Sequence, residues 1–206
     1  MNNKKWITIS FYTPDNAYAK VFNERLGRSL KEIPDIPNKI YQVSSRGSWL
    51  NNIAIKPEII KRAMFETQKN ILWVDADAMF TTYPKLMDTV PDNCDLMYHT
   101  LDHSVWYGTN TNRMEIFNGT IYLRNNVKTH VLLDEWIARC AINPRLGEHR
   151  HFESLVMDSR DIVTYDLPHQ YAYITSLPNG DKPRVEVVDP IICHYQASRQ
   201  HRKTQL

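Results

Sequence analysis

The sequence predicts an α/β fold: a single Rossmann-like domain over residues 1–206, with a central, mostly parallel sheet flanked by helices. Three observations carry this expectation. Short runs of β-branched and aromatic residues alternate with stretches whose apolar residues recur every three or four positions, the order of a βαβαβ unit. The third run ends on two carboxylates, as a strand does when it brings polar groups to the ligand edge of such a sheet. No repeat, low-complexity tract or long linker divides the chain.

The first strand is Trp6-Ile7-Thr8-Ile9-Ser10-Phe11, and Thr13-Pro14-Asp15-Asn16 makes a turn able to cap the helix after it. Tyr18, Val21, Phe22 and Leu26 then mark one buried helical face. A loop over 33–37, marked by two prolines, leads to the strand Ile40-Tyr41-Gln42-Val43. Pro57 suits a first helical position, and Ile60, Ala63, Met64 and Thr67 form that helix's inner face. The buried strand Ile71-Leu72-Trp73-Val74 follows. Further strands are expected at 96–99 and 120–123, and a later helix should bury Val131, Leu132, Trp136, Ile137 and Cys140. The stretch 102–115 lacks periodicity and carries Gly108, Asn110 and Asn112, which predicts a mobile loop with Trp106 and Tyr107 near its middle.

The 206 residues carry 25 Lys and Arg against 23 Asp and Glu, a net charge of +2 that by itself points to neither a nucleic-acid binder nor an acidic, solvating chain. Cys94, Cys140 and Cys193 lie far apart without Cys-x-x-Cys pairing, so neither a disulfide framework nor a structural zinc site is expected. The amino-terminal segment lacks the pattern of a secretory signal, and no stretch approaches the roughly 20 apolar residues of a membrane span. A cytoplasmic location is the expectation. Asn118-Gly119-Thr120 has the form of a glycosylation sequon, which carries no meaning in a chain that stays in the cytosol.

Chemistry concentrates in Val74-Asp75-Ala76-Asp77, where burial fixes the strand and its end presents two hard oxygen ligands. Such carboxylates suit Mn²⁺ or Mg²⁺ bridged to a diphosphate; the alternative is that they only begin a turn. This strand with its Asp-x-Asp resembles the signature of GT-A glycosyltransferases, metal-dependent enzymes that take a sugar from a nucleotide-diphosphate donor. Ser48-Trp49-Leu50-Asn51-Asn52 with Lys56-Pro57 looks like the segment that precedes this strand in the family and touches the donor. Phe117-Asn118-Gly119-Thr120 resembles the strand start beside the donor sugar, and Ile191-Ile192-Cys193-His194 the closing segment whose histidine often completes the metal site.

The resemblance implies a GT-A-like fold with Asp75, Asp77 and His194 on the metal and a nucleotide sugar, with UDP as the first expectation, as donor. Tyr12, Thr13, Trp49, Lys56, Asp75, Ala76, Asp77, Asn118, Gly119, Ser198 and Arg199 are the implied donor contacts: Tyr12 stacks on the base, Lys56 and Arg199 meet phosphate, and Ser198 assists. Glu148-His149-Arg150-His151-Phe152-Glu153 resembles the helix start facing the acceptor, where many relatives carry an Asp-Gln pair. Here the pair reads Phe152-Glu153, so Glu153, with His151 beside it, becomes the catalytic candidate. The implied acceptor is a cytosolic hydroxyl on a glycan, a protein, a small molecule or a hydroxylated DNA base; for DNA, the basic run at 199–203 would meet phosphates. A phosphatase of the haloacid dehalogenase type also uses Asp-x-Asp after a strand, but that motif sits near the amino terminus and continues to Thr or Val where this chain has Met79. A non-catalytic sugar-nucleotide or carbohydrate-binding module is the remaining alternative.

Overall fold

A computed structural model describes residues 4–177 and 180–197. In chain order its elements are β1 (Trp6–Tyr12), α1 (Ala17–Glu24), α2 (Leu26–Glu32), β2 (Asn38–Gln42), α3 (Trp49–Ile53), α4 (Lys56–Thr67), β3 (Asn70–Val74), β4 (Ala78–Phe80), β5 (Leu96–Asp102), α5 (His103–Tyr107), β6 (Met114–Leu123), α6 (Val127–Ile142), α7 (Glu148–Asp158), β7 (Thr164–Asp166), β8 (Tyr173–Ile174) and β9 (Ile192–His194). The main sheet has strand order β2-β1-β3-β6-β5-β7. The pairings make β6 antiparallel to both its neighbours while the other strands share one direction, so the sheet is mostly parallel as expected. A smaller sheet, β4-β9-β8, is laid over the ligand edge.

The parallel half follows from local sequence. Ile71 to Val74 are buried on both faces of the sheet, the continuous apolar run that a covered central strand needs. On one face Ile9, Ile71 and Trp73 pack with Ile60, Ala63 and Met64 of α4 and with Leu132, Leu133 and Trp136 of α6. On the other, Trp6, Leu72 and Val74 pack with Phe22, Leu26 and Leu30 of α1 and α2. Each such side chain, fully buried, contributes about 1.5–3 kcal/mol.

Three expectations need correction. The helix read through Leu26 breaks at Arg25 (φ −124°, ψ −92°), and α2 starts afresh with Gly27, where an added Cβ would lie 2.9 Å from the Phe22 ring. On α6 it is Leu133, not Val131, that faces the core; Val131 is exposed. The stretch 102–115, read as a loop, holds a helix at one end and the start of a strand at the other. Asp102 caps α5 by accepting the Ser104 N–H (2.8 Å), Trp106 is buried with Phe117 and Ile174, and β6 already begins at Met114. The three cysteines are free and buried. Among the described residues no helix is long and apolar enough to cross a membrane.

Candidate functional site

Because β6 runs against its neighbours, its first half projects past the end of β3. β3 pairs only with residues 120–123 of β6, so residues 114–118 form a wall above the carboxyl edge of the parallel strands. Facing that wall are the end of β1 and the turn after β3. Between them lies a cleft of ≈ 340 Å³, within the roughly 300–1,000 Å³ range of small-molecule sites. Its lining includes Tyr12 and Thr13 at the end of β1, Asp75, Ala76 and Asp77 after β3, Asn118, Gly119 and Glu115 on β6, and Tyr107 at the end of α5, and across the sheet these strands stand in the order β1, β3, β6.

The turn after β3 is held from several sides. The Asp75 N–H donates to the Gly119 carbonyl (2.9 Å) and the Ala78 N–H to the Asp75 carbonyl (3.0 Å), which closes the loop bearing both carboxylates. Asp75 Oδ1 accepts from the Trp73 indole (2.8 Å) and lies 3.1 Å from Lys56 Nζ. Asp77 Oδ2 accepts the Ala197 N–H at 2.7 Å. Burial, and then the charge of Asp75, push the Asp77 carboxyl up to about 6, against the Ala197 N–H, Arg25 and Lys56. The Arg25 guanidinium stacks 4.3 Å from the centre of the Tyr195 ring, and its Nη1 is a buried donor without a hydrogen-bond partner among the described residues.

Lys56 is almost fully buried beneath the cleft floor. Its ammonium lies 3.1 Å from Asp75 Oδ1 and 3.0 Å from Glu148 Oε1, and donates to the Asn118 carbonyl (3.2 Å). A lysine has three donors, and these contacts use all three. Burial alone would lower this ammonium, but the two carboxylates outweigh it and hold its pKa raised. Lys56 thus lines the cleft as expected of a donor-contacting residue, with its ammonium paired to two protein carboxylates.

Glu148 is the residue that sequence reasoning missed. It begins α7, is buried, accepts from Asn118 Nδ2 (2.7 Å) and pairs with Lys56, and its carboxyl is raised by burial against the pull of Lys56. Its only sequence signal is an acidic residue at a helix start after Gly147, a pattern the helix dipole alone explains. His149, next to it, also lines the cleft, with its pKa lowered by burial and by Arg150.

The other catalytic candidates lie elsewhere. Glu153 Oε2 bonds Arg150 (3.0 Å) and its Oε1 accepts the Ile116 N–H (3.3 Å), so it ties α7 to β6. His151 is buried with Nε2 2.8 Å from the Asn143 carbonyl. Neither lines the cleft. The first turn of α7, not its second, faces the cavity.

His194 pairs with Ala78 in the small sheet, next to Asp77, but does not line the cleft. Nε2 is 2.7 Å from Thr120 Oγ1, and burial pushes its pKa down to about 4, so the ring is neutral. Gly119 makes room for it: a Cβ there would come within 2.5 Å of the Phe117 ring and 3.0 Å of His194 Cε1. Among the described residues no three His, Cys, Asp or Glu side chains gather as a ready metal cluster, so Asp75, Asp77 and His194 adjoin without forming a closed ligand set. Trp49 lines the cleft from α3, and Tyr12 does so while stacked on Phe22 (centroids 4.5 Å apart). Ser198, Arg199 and the basic run to 203 lie outside the described residues.

No family model matches the chain, and no curated protein matches it by sequence. Its structure nevertheless resembles solved glycosyltransferases along nearly its full length. A glycosyltransferase involved in glycosylation of the major capsid of PBCV-1 aligns with a TM-score of 0.65 over 98% of this chain and 99% of the other, at 13% identity. Mouse xyloside xylosyltransferase 1 aligns with a TM-score of 0.55 at 10% identity, over 94% and 98% of the two chains. The glycosyltransferase GlyE of Streptococcus pneumoniae TIGR4 gives 0.57 at 13% identity, over 94% of this chain and 55% of the other. At these identities the likeness establishes a shared architecture: the chain has the fold of glycosyltransferases.

Proposed function

We propose that the protein is a metal-dependent glycosyltransferase that moves a sugar from a nucleotide-diphosphate sugar, a UDP-sugar first among them, to an acceptor hydroxyl. The observation that carries this reading is the pair Asp75 and Asp77 at the end of β3, opening into a cleft that already carries excess negative charge. Around its floor three carboxylates, Asp75, Asp77 and Glu148, surround one ammonium, Lys56. An anionic diphosphate is repelled by such a floor unless a cation stands between them.

The donor set fits Mn²⁺ or Mg²⁺: two hard carboxylates side by side, one held above the usual carboxylate range by burial and by the charge of the other, with a neutral imidazole nearby. Asp75 and Asp77 would hold the ion, and His194 could join only by giving up Thr120. When bound, the ion supplies positive charge against the leaving diphosphate. On this reading Asn118 and Glu148 would face the donor's sugar, and Tyr12 and Thr13 its base.

The test is release of nucleoside diphosphate from a panel of nucleotide sugars, with Mn²⁺ and in excess chelator. Turnover that survives chelation overturns the metal role. Metal-dependent donor binding without any turnover, with or without acceptors, would favour the binding-module reading instead.

A further inference from the structure

The end of the cleft at the start of β6 is built unlike the rest. Glu115, on the projecting part of β6, lines it with a side chain that is 26% exposed. Its Oε2 is clamped twice, by His103 Nε2 (2.8 Å) from α5 and by Arg113 Nη2 (3.0 Å) from the strand itself. No hydrogen bond among the described residues reaches Oε1. His103 also meets the Tyr107 ring edge-on at 4.7 Å, and Tyr107 lines the cleft beside Glu115. His149 stands close enough across the gap that the charge of Glu115 acts on its ring.

We propose that this end of the cleft is an acceptor subsite for a sugar, in which Glu115 accepts hydrogen bonds from sugar hydroxyls and Tyr107 offers its ring to a sugar face. The assignment of this end to the acceptor rests on the donor reading above, since the base and diphosphate would take the β1 and β3 side of the cleft. Three features favour a sugar. An ionised carboxylate is purely an acceptor, and a carbohydrate diol presents two donors to it. A tyrosine ring supplies a large apolar surface at low entropic cost, suited to the C–H face of a pyranose. Four carboxylates, Asp75, Asp77, Glu115 and Glu148, line the cleft, offset among the described residues by Lys56 and by Arg113 on Glu115, and the remaining negative charge disfavours a polyanion such as DNA. The clamp by His103 and Arg113 makes Glu115 a preorganised group, so the bond to a hydroxyl costs little reordering.

Saturation-transfer NMR with methyl glycosides of common hexoses and pentoses, in the presence of UDP and Mn²⁺ and in their absence, tests this without requiring turnover. Wild-type protein should take up at least one of them weakly. Glu115→Gln and Tyr107→Ala should each weaken that binding about tenfold, while affinity for UDP with Mn²⁺ moves less than twofold and the melting temperature holds. Tyr107→Ala serves where loss of the Glu115 clamp loosens α5, and Tyr107→Phe should bind as the wild type does. Absence of any glycoside signal in the wild type overturns the proposal, as do variants that bind the glycoside as tightly as the wild type does, or preferential binding of a hydroxymethylated oligonucleotide or a Ser- and Tyr-containing peptide. Failure of donor release in the earlier assay would sink the transferase reading and leave these binding results to stand or fall separately.

Discussion

The two halves of the sheet are specified in different ways. On the side of β1, β2 and β3, successive parallel strands are joined through pairs of local helices, and at β3 the ligand edge is where the buried apolar run stops. On the side of β5 and β6, a ten-residue strand runs backwards and shifts register between Tyr98 and His99, and half of it serves as a wall. The difference teaches where chemistry can be read from sequence. A carboxylate that ends a buried strand announces itself, whereas one whose place depends on antiparallel overhang or on a helix start does not.

The largest effect that would break this comparison concerns the first half. Asp77→Asn, and Asp75→Asn, should weaken metal-dependent UDP binding by about 100-fold or more, with the circular dichroism spectrum retained; calorimetry with Mn²⁺ measures it. Binding left intact would mean that the ligand edge does not lie where the parallel strands end.

The ion pair that joins the halves comes next. Lys56→Met strands Glu148, buried like its partner, without its counter-charge, and should cost about 3–5 kcal/mol by denaturant unfolding. Adding Glu148→Gln to that variant should restore part of the loss, because a neutral amide needs no cation. A double variant as unstable as the single one would show that the pair is not the joint between the halves.

A smaller effect sharpens the contrast between Asp77 and His194 through pH. The carboxyl of Asp77 is raised from 3.8 to about 6, so in metal-free protein its stabilising contribution is present below pH 4 and is lost as pH rises through 6. The imidazole of His194 is lowered from 6.5 to about 4, so its contribution is present above pH 6.5 and is lost as pH falls toward 4. Asp77→Asn should therefore raise the melting temperature of metal-free protein near pH 7.5 and leave it nearly unchanged near pH 4. Affinity for Mn²⁺ should fall about tenfold per pH unit below 6 as protons compete for the carboxylate.

The smallest expected effect is at Glu153. Glu153→Gln removes a charge from a bond to Arg150 and keeps an acceptor for the Ile116 N–H, so it should cost about 1 kcal/mol or less and leave transfer rates within twofold. A hundredfold fall in turnover would return that residue to the cleft.

Legibility followed the same divide. Strands β1 and β3, helix α4 and the pair Asp75 and Asp77 could be read because burial and polarity change within a few residues. Glu148 and Glu153 look alike in sequence, both acidic and both on one amphipathic helix. Only the packing of Phe152 and Leu155 against the core decides that the first faces the cleft and the second the β6 backbone. Glu115 was hidden because a stretch broken by Gly108 and two asparagines masks a strand that begins at Met114. Lys56 was noticed for its charge, but its neutralisation by two carboxylates from β3 and α7 is a three-dimensional fact.

The bond from the Ala197 amide to Asp77 joins residues 120 positions apart. On a ribosome adding about 5–20 residues each second, Asp77 waits several seconds or more for the segment that clasps it. During that interval β4 lacks its partner β9, and Asp77 lacks the amide donor that favours its ionised form. The carboxylate end of the cleft is thus completed only after the sheet that supports it, and a nascent chain can bury most of its core while Asp77 still lacks its clasp.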